Sequence, residues 1–389
     1  MIADLHAHYP MHLVPDADGG PFDLLASARG RTRLRDRIRA LIIGLAGRFA
    51  NYRSLESGPR VTLPLLEKGG VGLVFSVLYS FFDELDLGEP YGAAPRPGYL
   101  ETLIRQLDDV EAEILREHGD RAVVAHTPAE LDRALDAKKI AFVHCVEGGF
   151  HLGATRTEVE RGIEELARRG VVYVTLAHLL WRQVATNAPA LPFLPDRLYG
   201  LLFPQPKQGL SELGRAAVEA MVARGVLVDV SHMSERALHE TFDLLDELDP
   251  GNRVPVVATH VGYRFGGQEY NLERGTVERI AARDGAIGLI FAQHQLNDGL
   301  RRRQTRGFEE SFEVIAAHVE RIREITGSHR HSAIGSDFDG FVKPTLAGLE
   351  SMADMRRLET ALRQRYGDDA EAITSGNALR VLRSGWRAA

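Results

Sequence analysis

The sequence predicts one α/β domain, a (β/α)8 or TIM barrel with a helical insertion between its first and second strands. Two observations predict it. Apolar, β-branched runs alternate with helical patterns along the 389 residues, the rhythm of parallel strands joined by crossover helices. These runs also end repeatedly in His, Glu or Asp, as expected where strand C-termini share the active face of a barrel. A doubly wound open sheet is the alternative, but no Gly-x-Gly-x-x-Gly follows the first strand to form a nucleotide site. No domain boundary is visible, so residues 1–389 are read as one unit.

The first strand carries the stretch Ala3 to His8, Ala-Asp-Leu-His-Ala-His. In an extended chain residues i and i+2 share a face, so His6 and His8 project toward one point, as two nitrogen ligands on a rigid strand would. Residues 9–70 form the insertion: an arginine-rich stretch, Arg29 to Arg39, runs into the apolar Ala40 to Phe49, an amphipathic helical pattern packed on the barrel mouth. Val71 to Tyr79 is the second strand, and a helical pattern spans Tyr99 to His118. Thr127-Pro128-Ala129-Glu130 opens a helix to about Ala137, with a capping box and proline in its first turn. Ile140 to Val146 is a buried strand ending at Glu147-Gly148-Gly149. Thr157 with Glu160 is read as a second capping box, starting a helix that runs to Arg169 and ends at Gly170.

Val171 to Ala177 ends at His178. The loop over 179–209, with Trp181, Phe193, Tyr199 and Phe203, is long enough to be functional and is expected to be a rim or lid over the barrel mouth. Its competing use is a subunit contact, which leaves a homodimer open. Helix Ser211 to Arg224 leads to strand Val226 to Ser231 and His232. Helix Ser234 to Leu248 leads to Val254 to Thr259 and His260. Helix Thr276 to Arg283 leads to Ala286 to Ala292, and helix Phe308 to Thr326 leads to Ser332 to Ser336 and Asp337-Phe338-Asp339-Gly340. Helices within Gly348 to Leu382 close the ring.

Composition limits the function. Hydrophobic residues make up 44% and charged residues 26% of a chain with net charge −7, an ordinary globular balance with no cationic footprint for nucleic acid. No run approaches the length needed to span a bilayer. The single cysteine, Cys145, excludes an intrachain disulfide. With a first strand starting at Ile2 and no leader pattern ahead of it, this leads to the expectation of a cytoplasmic protein acting on a small molecule.

His6, His8, Glu147, His178, His232, His260 and Asp337 all fall at strand ends, so the barrel would gather them on one rim. Strand parity agrees: Val143, Cys145 and Glu147 share a face, as do Val228, Val230 and His232, and Val256, Ala258 and His260. His6, His8, Glu147, His232 and His260 are the expected metal ligands. His178 is read as a substrate contact. Cys145 is expected to be a buried hydrophobe. Asp229, off the parity of His232, is expected to bond a neighbouring loop. His12, His144, His151 and His294 are read as ordinary.

Four imidazoles and two carboxylates exceed the needs of one tetrahedral ion. They suit two divalent ions bridged by Glu147, whose joint pull would turn a shared water into a hydroxide nucleophile. Asp337 would take the proton and pass it to a leaving amine.

With these residues in place, the chain resembles the membrane (renal) dipeptidase family, peptidase family M19 of the amidohydrolase superfamily, over nearly its whole length. The resemblance rests on Val146-Glu147-Gly148-Gly149, Tyr173 to His178, Gly209-Leu210-Ser211 with Leu213-Gly214, Val228 to His232, Thr259-His260, Ile334 to Gly340 and Gly376 to Val381. It implies a binuclear zinc site with Glu147 bridging, His232 and His260 on one ion and the first-strand pair on the other. It further implies that Asp337 handles protons and that His178 polarises the scissile carbonyl or binds the tetrahedral intermediate. Two positions depart from the family. His8 stands where the family usually has Asp, which leaves the site one unit more positive and should lower the pKa of the bridging water. The arginine that in the family precedes Asn271 and grips the substrate carboxylate is replaced, the local sequence being Gln268-Glu269-Tyr270. Arg264, Arg274 or Arg182 would have to substitute, and Arg264 with Asn271 is the expected substrate-binding pair.

The leading expectation is a metal-dependent hydrolase of a dipeptide or an N-acyl amino acid. A lactone or cyclic amide is the alternative substrate class. Deamination fits less well, because a mononuclear deaminase has no use for a bridging glutamate. A barrel that binds metal without turnover is the reading from a different class.

Overall fold

The computed structural model describes residues 1–13, 38, 58–84, 91–191, 194–340 and 344–387. The expected insertion helix over 29–49 lies outside them, Ile38 apart, as does Phe193 of the long loop.

Nine strands are described: β1 (Ile2–Ala7), β2 (Val71–Leu78), β3 (Ala122–Val124), β4 (Ile140–Glu147), β5 (Tyr173–Thr175), β6 (Leu227–Asp229), β7 (Val256–Val261), β8 (Ala286–Leu289) and β9 (Ser332–Ile334). Every ladder is parallel. The order β2, β1, β9, β8, β7, β6, β5, β4 closes where β4 pairs with β2. The ring therefore has the expected eight strands, which makes it a (β/α)8 barrel. The ninth, β3, pairs only with the first half of β4, Val124 opposite Phe142. Beyond it β5 takes over, Val146 opposite Val174. At three residues, β3 is too short to show a period.

Crossover helices flank the ring. Helix α1 (Leu63–Gly69) leads into β2, and α2 (Tyr99–Glu117) buries Leu103, Leu107 and Val110 on one stripe, each contributing about 1.5–3 kcal/mol relative to exposure. In α3 (Pro128–Asp136) the Thr127 hydroxyl accepts the Glu130 N–H as expected, but the Glu130 carboxylate caps His126 N. Helix α4 (Arg156–Arg168) starts two residues earlier than expected, because Thr155 and Glu158, not Thr157 and Glu160, form the reciprocal box. Both pairs fit the same spacing.

Ser211 caps α5 (Glu212–Arg224) and Ser234 caps α6 (Glu235–Leu248), each side-chain oxygen satisfying an N–H that the first helical turn leaves free. The ring is completed by α7 (Arg274–Ala282), α8 (Phe308–Thr326), α9 (Met355–Tyr366) and α10 (Asn377–Gly385).

The long loop after β5 is built, not slack. It carries a short helix, Asp196–Leu202, and bridges Ala185 to Leu210 and Asn187 to Met233. Its Tyr199 and Phe203 are buried, and the Tyr199 hydroxyl holds the Leu179 carbonyl at 2.7 Å.

Candidate metal centre

Two buried aspartates shape the strand ends that carry the centre. On β1, Asp4 Oδ1 accepts the N–H of His6 at 3.1 Å and of Ser336, beyond β9, at 2.9 Å. The β1–β2 register slips between Asp4 and Ala7, an irregularity of the kind that re-aims side chains beside a site. On β6, Asp229 repeats the device, accepting from Ser231 N and Thr259 N at 3.0 Å each. Its other oxygen takes the Thr175 and Thr259 hydroxyls at 2.6 and 2.7 Å. Asp229 is thus structural, but it ties the ends of β5, β6 and β7 together rather than bonding a loop.

Parity carries Glu147 and His260, which still lie within β4 and β7. It does not carry His232, which lies three residues beyond the end of β6 with a left-handed backbone, φ 64°. Asp337 and Asp339 are also left-handed, φ 58° and 62°. Asp339 holds the N–H groups of Arg60 and Val61, leaving Asp337 to face the centre. Gly340 makes room for this: a Cβ there would meet Asp337 Oδ1 at 2.1 Å and His8 Cδ2 at 2.9 Å.

The Glu147 carboxylate is the hub. Its Oε1 lies 3.4 Å from His6 Nε2, 3.5 Å from His232 Nε2 and 3.3 Å from His260 Nε2. Its Oε2 lies 3.4 Å from His8 Nε2 and 3.3 Å from His178 Nε2. Asp337 Oδ1 stands 3.1 Å from His8 Nε2 and 3.8 Å from His6 Nε2. All seven residues are buried. The expected rim residues therefore do converge, although His6 packs at a tilt against His260, centroids 3.7 Å apart, so the first-strand pair is not set apart from the other imidazoles.

The donor set fits cations. His6 Nε2, His8 Nε2 and Glu147 Oε1 are buried without a hydrogen-bond partner, and His232 Nε2 faces His260 Nε2 at 2.7 Å. Imidazole nitrogens crowding a carboxylate oxygen are stable only with a proton or a metal ion among them. Three overlapping groups have ligand-like spacing: His6, Glu147 and His260; His6, His8 and Asp337; Glu147, His178 and His232. Outer contacts orient the rings, since the Thr259 hydroxyl lies 3.0 Å from His6 Nδ1 and 2.9 Å from His260 Nδ1. The Tyr173 hydroxyl lies 2.9 Å from His6 Nδ1.

Electrostatics divide the imidazoles. Burial, then His260, pushes His6 down to about 4. Burial, then the charge on His178, pushes His232 down to about 4. His178 goes the other way: burial opposes its charge, but Glu147 and then Glu84 outweigh it and raise it to about 9. Burial also opposes ionisation of Glu147, and the surrounding imidazoles, His178 foremost, still hold it well below the carboxylate range. Asp337 is lowered despite burial, chiefly by His8, whose Nε2 stands 3.1 Å away.

The expected substrate-binding pair, Arg264 and Asn271, is engaged by other protein groups. Arg264 bonds Glu235 and the carbonyls of Glu269 and Asn271, and Asn271 donates to the Gln295 carbonyl at 2.8 Å. Tyr270 packs on the His232 ring and donates to the His260 carbonyl. Arg274 pairs with Glu278 on an exposed helix face, while Arg182 is buried against Tyr99 and Phe150. Cys145 is a buried thiol, as expected, and His12 pairs with Glu113 at 3.0 Å.

Sequence reasoning missed Glu84. Its carboxylate lies 2.5 Å from His178 Nδ1, and the only available signal was an acid a few residues past a strand that otherwise supplies no polar end group.

A family model described as membrane dipeptidase (peptidase family M19) matches residues 33–387. The dipeptidase tcpJ of Claviceps purpurea (strain 20.1) is 27% identical over 330 residues, 83% of this chain and 68% of the relative. Among solved structures, dipeptidase AC, a metallopeptidase of family M19, superposes with a TM-score of 0.70 at 19% identity, covering 99% of this chain and 98% of the other. A metallopeptidase from Rhodobacter sphaeroides, liganded with a phosphinate mimic of L-Ala-D-Ala, gives the same TM-score and identity, over 99% of each chain.

Proposed function

Since the chain belongs to the membrane dipeptidase family, we propose that it is a binuclear metal-dependent hydrolase cutting the amide bond of a dipeptide or an N-acyl amino acid. The observation that carries this reading is one buried carboxylate, Glu147, facing five imidazole nitrogens at 3.3–3.5 Å, several of the atoms involved lacking any other partner. His6, His8, Glu147, His232 and His260 would hold two divalent ions, zinc being the natural choice for a nitrogen-rich set with one carboxylate. When bound, such a pair supplies Lewis acidity, making a water acidic enough to attack at neutral pH.

The chain's own groups do the rest. Asp337 accepts the proton of the attacking water and returns it to the amine as the C–N bond breaks. His178 donates from Nε2 to the carbonyl oxygen as negative charge builds there. The loop over 179–209 forms the rim. Among the described residues no helix is long and apolar enough to cross a membrane. With a single buried cysteine, we place the protein in the cytoplasm.

A second substrate class, a lactone or cyclic amide without a free carboxylate, is favoured by one observation: Arg264 is already engaged by Glu235 and two backbone carbonyls. Metal analysis with a substrate panel tests the whole reading. About two ions per chain, metal loss in Glu147→Ala, and hydrolysis of dipeptides or acyl amino acids are expected. One tightly held ion that survives Glu147→Ala would defeat the binuclear scheme. Bound metal with no turnover across dipeptides, acyl amino acids and lactones would mark a non-catalytic barrel.

A further inference from the structure

The geometry points to Glu84 as the positioning residue of this site, the carboxylate that fixes the Nδ1 proton and the aim of His178. The assignment rests on His178 acting in hydrolysis as proposed above. Glu84 ends the short helix Phe81–Glu84, just beyond β2, and is 1% exposed.

Each of its oxygens has a defined task. Oε2 receives the His178 Nδ1–H at 2.5 Å and the Tyr79 hydroxyl at 2.6 Å. Oε1 receives the backbone N–H of Leu180 at 2.9 Å. One carboxylate therefore grips both the ring of His178 and the chain two residues further on. Tyr79, the residue after β2, also packs edge-on against the His178 ring, centroids 4.7 Å apart. The end of β2 thus fixes the end of β5 across β4.

The consequence is chemical. A carboxylate can only accept, so the nitrogen facing it must carry a proton, and Nδ1 is committed as N–H. The ring can then rotate neither to present Nδ1 to the site nor to withdraw Nε2 from the space in front of Glu147. The other imidazoles around Glu147 are held differently. His6 and His260 turn Nδ1 to the Thr259 hydroxyl, which gives its one proton to Asp229 and so accepts from them as a neutral group, placing no charge behind either ring. A carboxylate behind a histidine serves both metal ligands and proton-bearing catalysts, and the experiment must separate these uses.

Glu84→Gln keeps the shape and removes the charge. In the metal-loaded protein with a dipeptide it should retain its ions, lose kcat by a factor on the order of 10² and keep KM within about twofold. Glu84→Asp should recover part of the loss. Affinity for a phosphinate dipeptide mimic should fall by the same factor as kcat/KM, as for an interaction made mainly in the transition state. Tyr79→Phe, a milder change that leaves the carboxylate in place, should lower kcat by a few fold and serves if Glu84→Gln does not fold. Unchanged kcat in Glu84→Gln would overturn the assignment, and so would loss of metal, which would make Glu84 the anchor of a ligand. If the wild-type protein cleaves nothing on the panel, the hydrolase reading falls, and 15N spectra of histidine-labelled protein decide on Glu84. A protonated Nδ1 signal, assigned by its disappearance in His178→Gln and shifted in Glu84→Gln, supports the assignment. Identical wild-type and Glu84→Gln spectra refute it.

Discussion

His178 and His232 pack against each other, ring centroids 4.5 Å apart, and both turn Nε2 toward the Glu147 carboxylate, at 3.3 and 3.5 Å. Their protonation behaviour is nonetheless opposite. Both lose hydration on burial; His178, faced by Glu147 and Glu84, is raised to about 9, whereas His232, beside the charge on His178, is lowered to about 4. They share Glu147, but His178 has Glu84 as a second carboxylate, and the charge it keeps adds to burial in pressing His232 down. His178 Nδ1 meets a carboxylate, and His232 Nδ1 is buried without a hydrogen-bond partner. A neutral imidazole with a free lone pair is a metal ligand, and one that keeps both protons is a hydrogen-bond donor. The contrast would make His232 a ligand and His178 a donor; His260, raised as well, is not sorted by charge in this way.

The largest test of this division removes one member at a time. His232→Ala should release metal and lower turnover by a factor on the order of 10³ or more, because a ligand of the ion has gone. His178→Asn should keep its metal and lose on the order of 10² to 10³ in kcat, the usual cost of one oxyanion donor. Metal analysis beside steady-state kinetics decides. If both variants keep their ions, or both lose them, the division fails. Asp337→Asn is expected next, with metal retained and kcat reduced by a factor on the order of 10². Undiminished turnover would remove Asp337 from proton transfer, and loss of metal would make it the ligand that its 3.1 Å approach to His8 allows.

The residues that gather on Glu147 are readable from the sequence, because each ends an apolar run. The fold does the rest by bringing strand C-termini to one rim. Glu147 and His260 were even reached by the right reasoning, being extended residues in phase with the core. His232 was reached by the wrong reasoning, since its φ of 64° breaks the two-residue period and still delivers the ring. What cannot be read is the carboxylate behind His178. Glu84 lies in Phe81-Phe82-Asp83-Glu84-Leu85-Asp86, where nothing in spacing separates it from the other acids. Its partner His178 is 94 residues away, so only the closure of β2, β4 and β5 into one wall makes the pair. The same limit applies to Asp4 and Asp229, whose role as cross-strand braces depends on backbone N–H groups that no side-chain pattern reveals.

A smaller effect sharpens the ligand side. The Thr259 hydroxyl touches Nδ1 of both His6 and His260 and is held by Asp229 at 2.7 Å. Thr259→Val keeps the shape and removes these bonds. Metal affinity should fall 10- to 100-fold, the usual effect of losing a group that orients ligands, with kcat at saturating metal nearly unchanged. A metal titration of the variant measures this. Unaltered affinity would mean that packing alone orients the two rings.

The smallest effect is a pH dependence of stability in the metal-free protein, where the two histidines should act on opposite limbs. His178 is raised from an ordinary 6.5 to about 9. Its stabilising contribution is therefore full below 6.5 and lost as pH climbs through 9, because the folded state gives up a proton that the unfolded state has already released. His6 and His232, lowered to about 4, behave in reverse. As pH falls from 6.5 toward 4 the unfolded chain takes up protons that the folded site refuses, and stability declines. Glu84, Glu147 and Asp337 all titrate lower than usual despite burial, held down chiefly by His178 for the two glutamates and by His8 for Asp337. Their losses fall below this window. Urea unfolding of the metal-free protein should therefore show maximum stability near pH 6.5, with each limb amounting to a few kcal/mol at most. His178→Gln should reduce the alkaline limb, leaving the part that His260, raised as well, contributes, and His232→Gln should flatten the acidic one. An alkaline limb undiminished in His178→Gln would place the raised group elsewhere and take away the electrostatic half of the contrast.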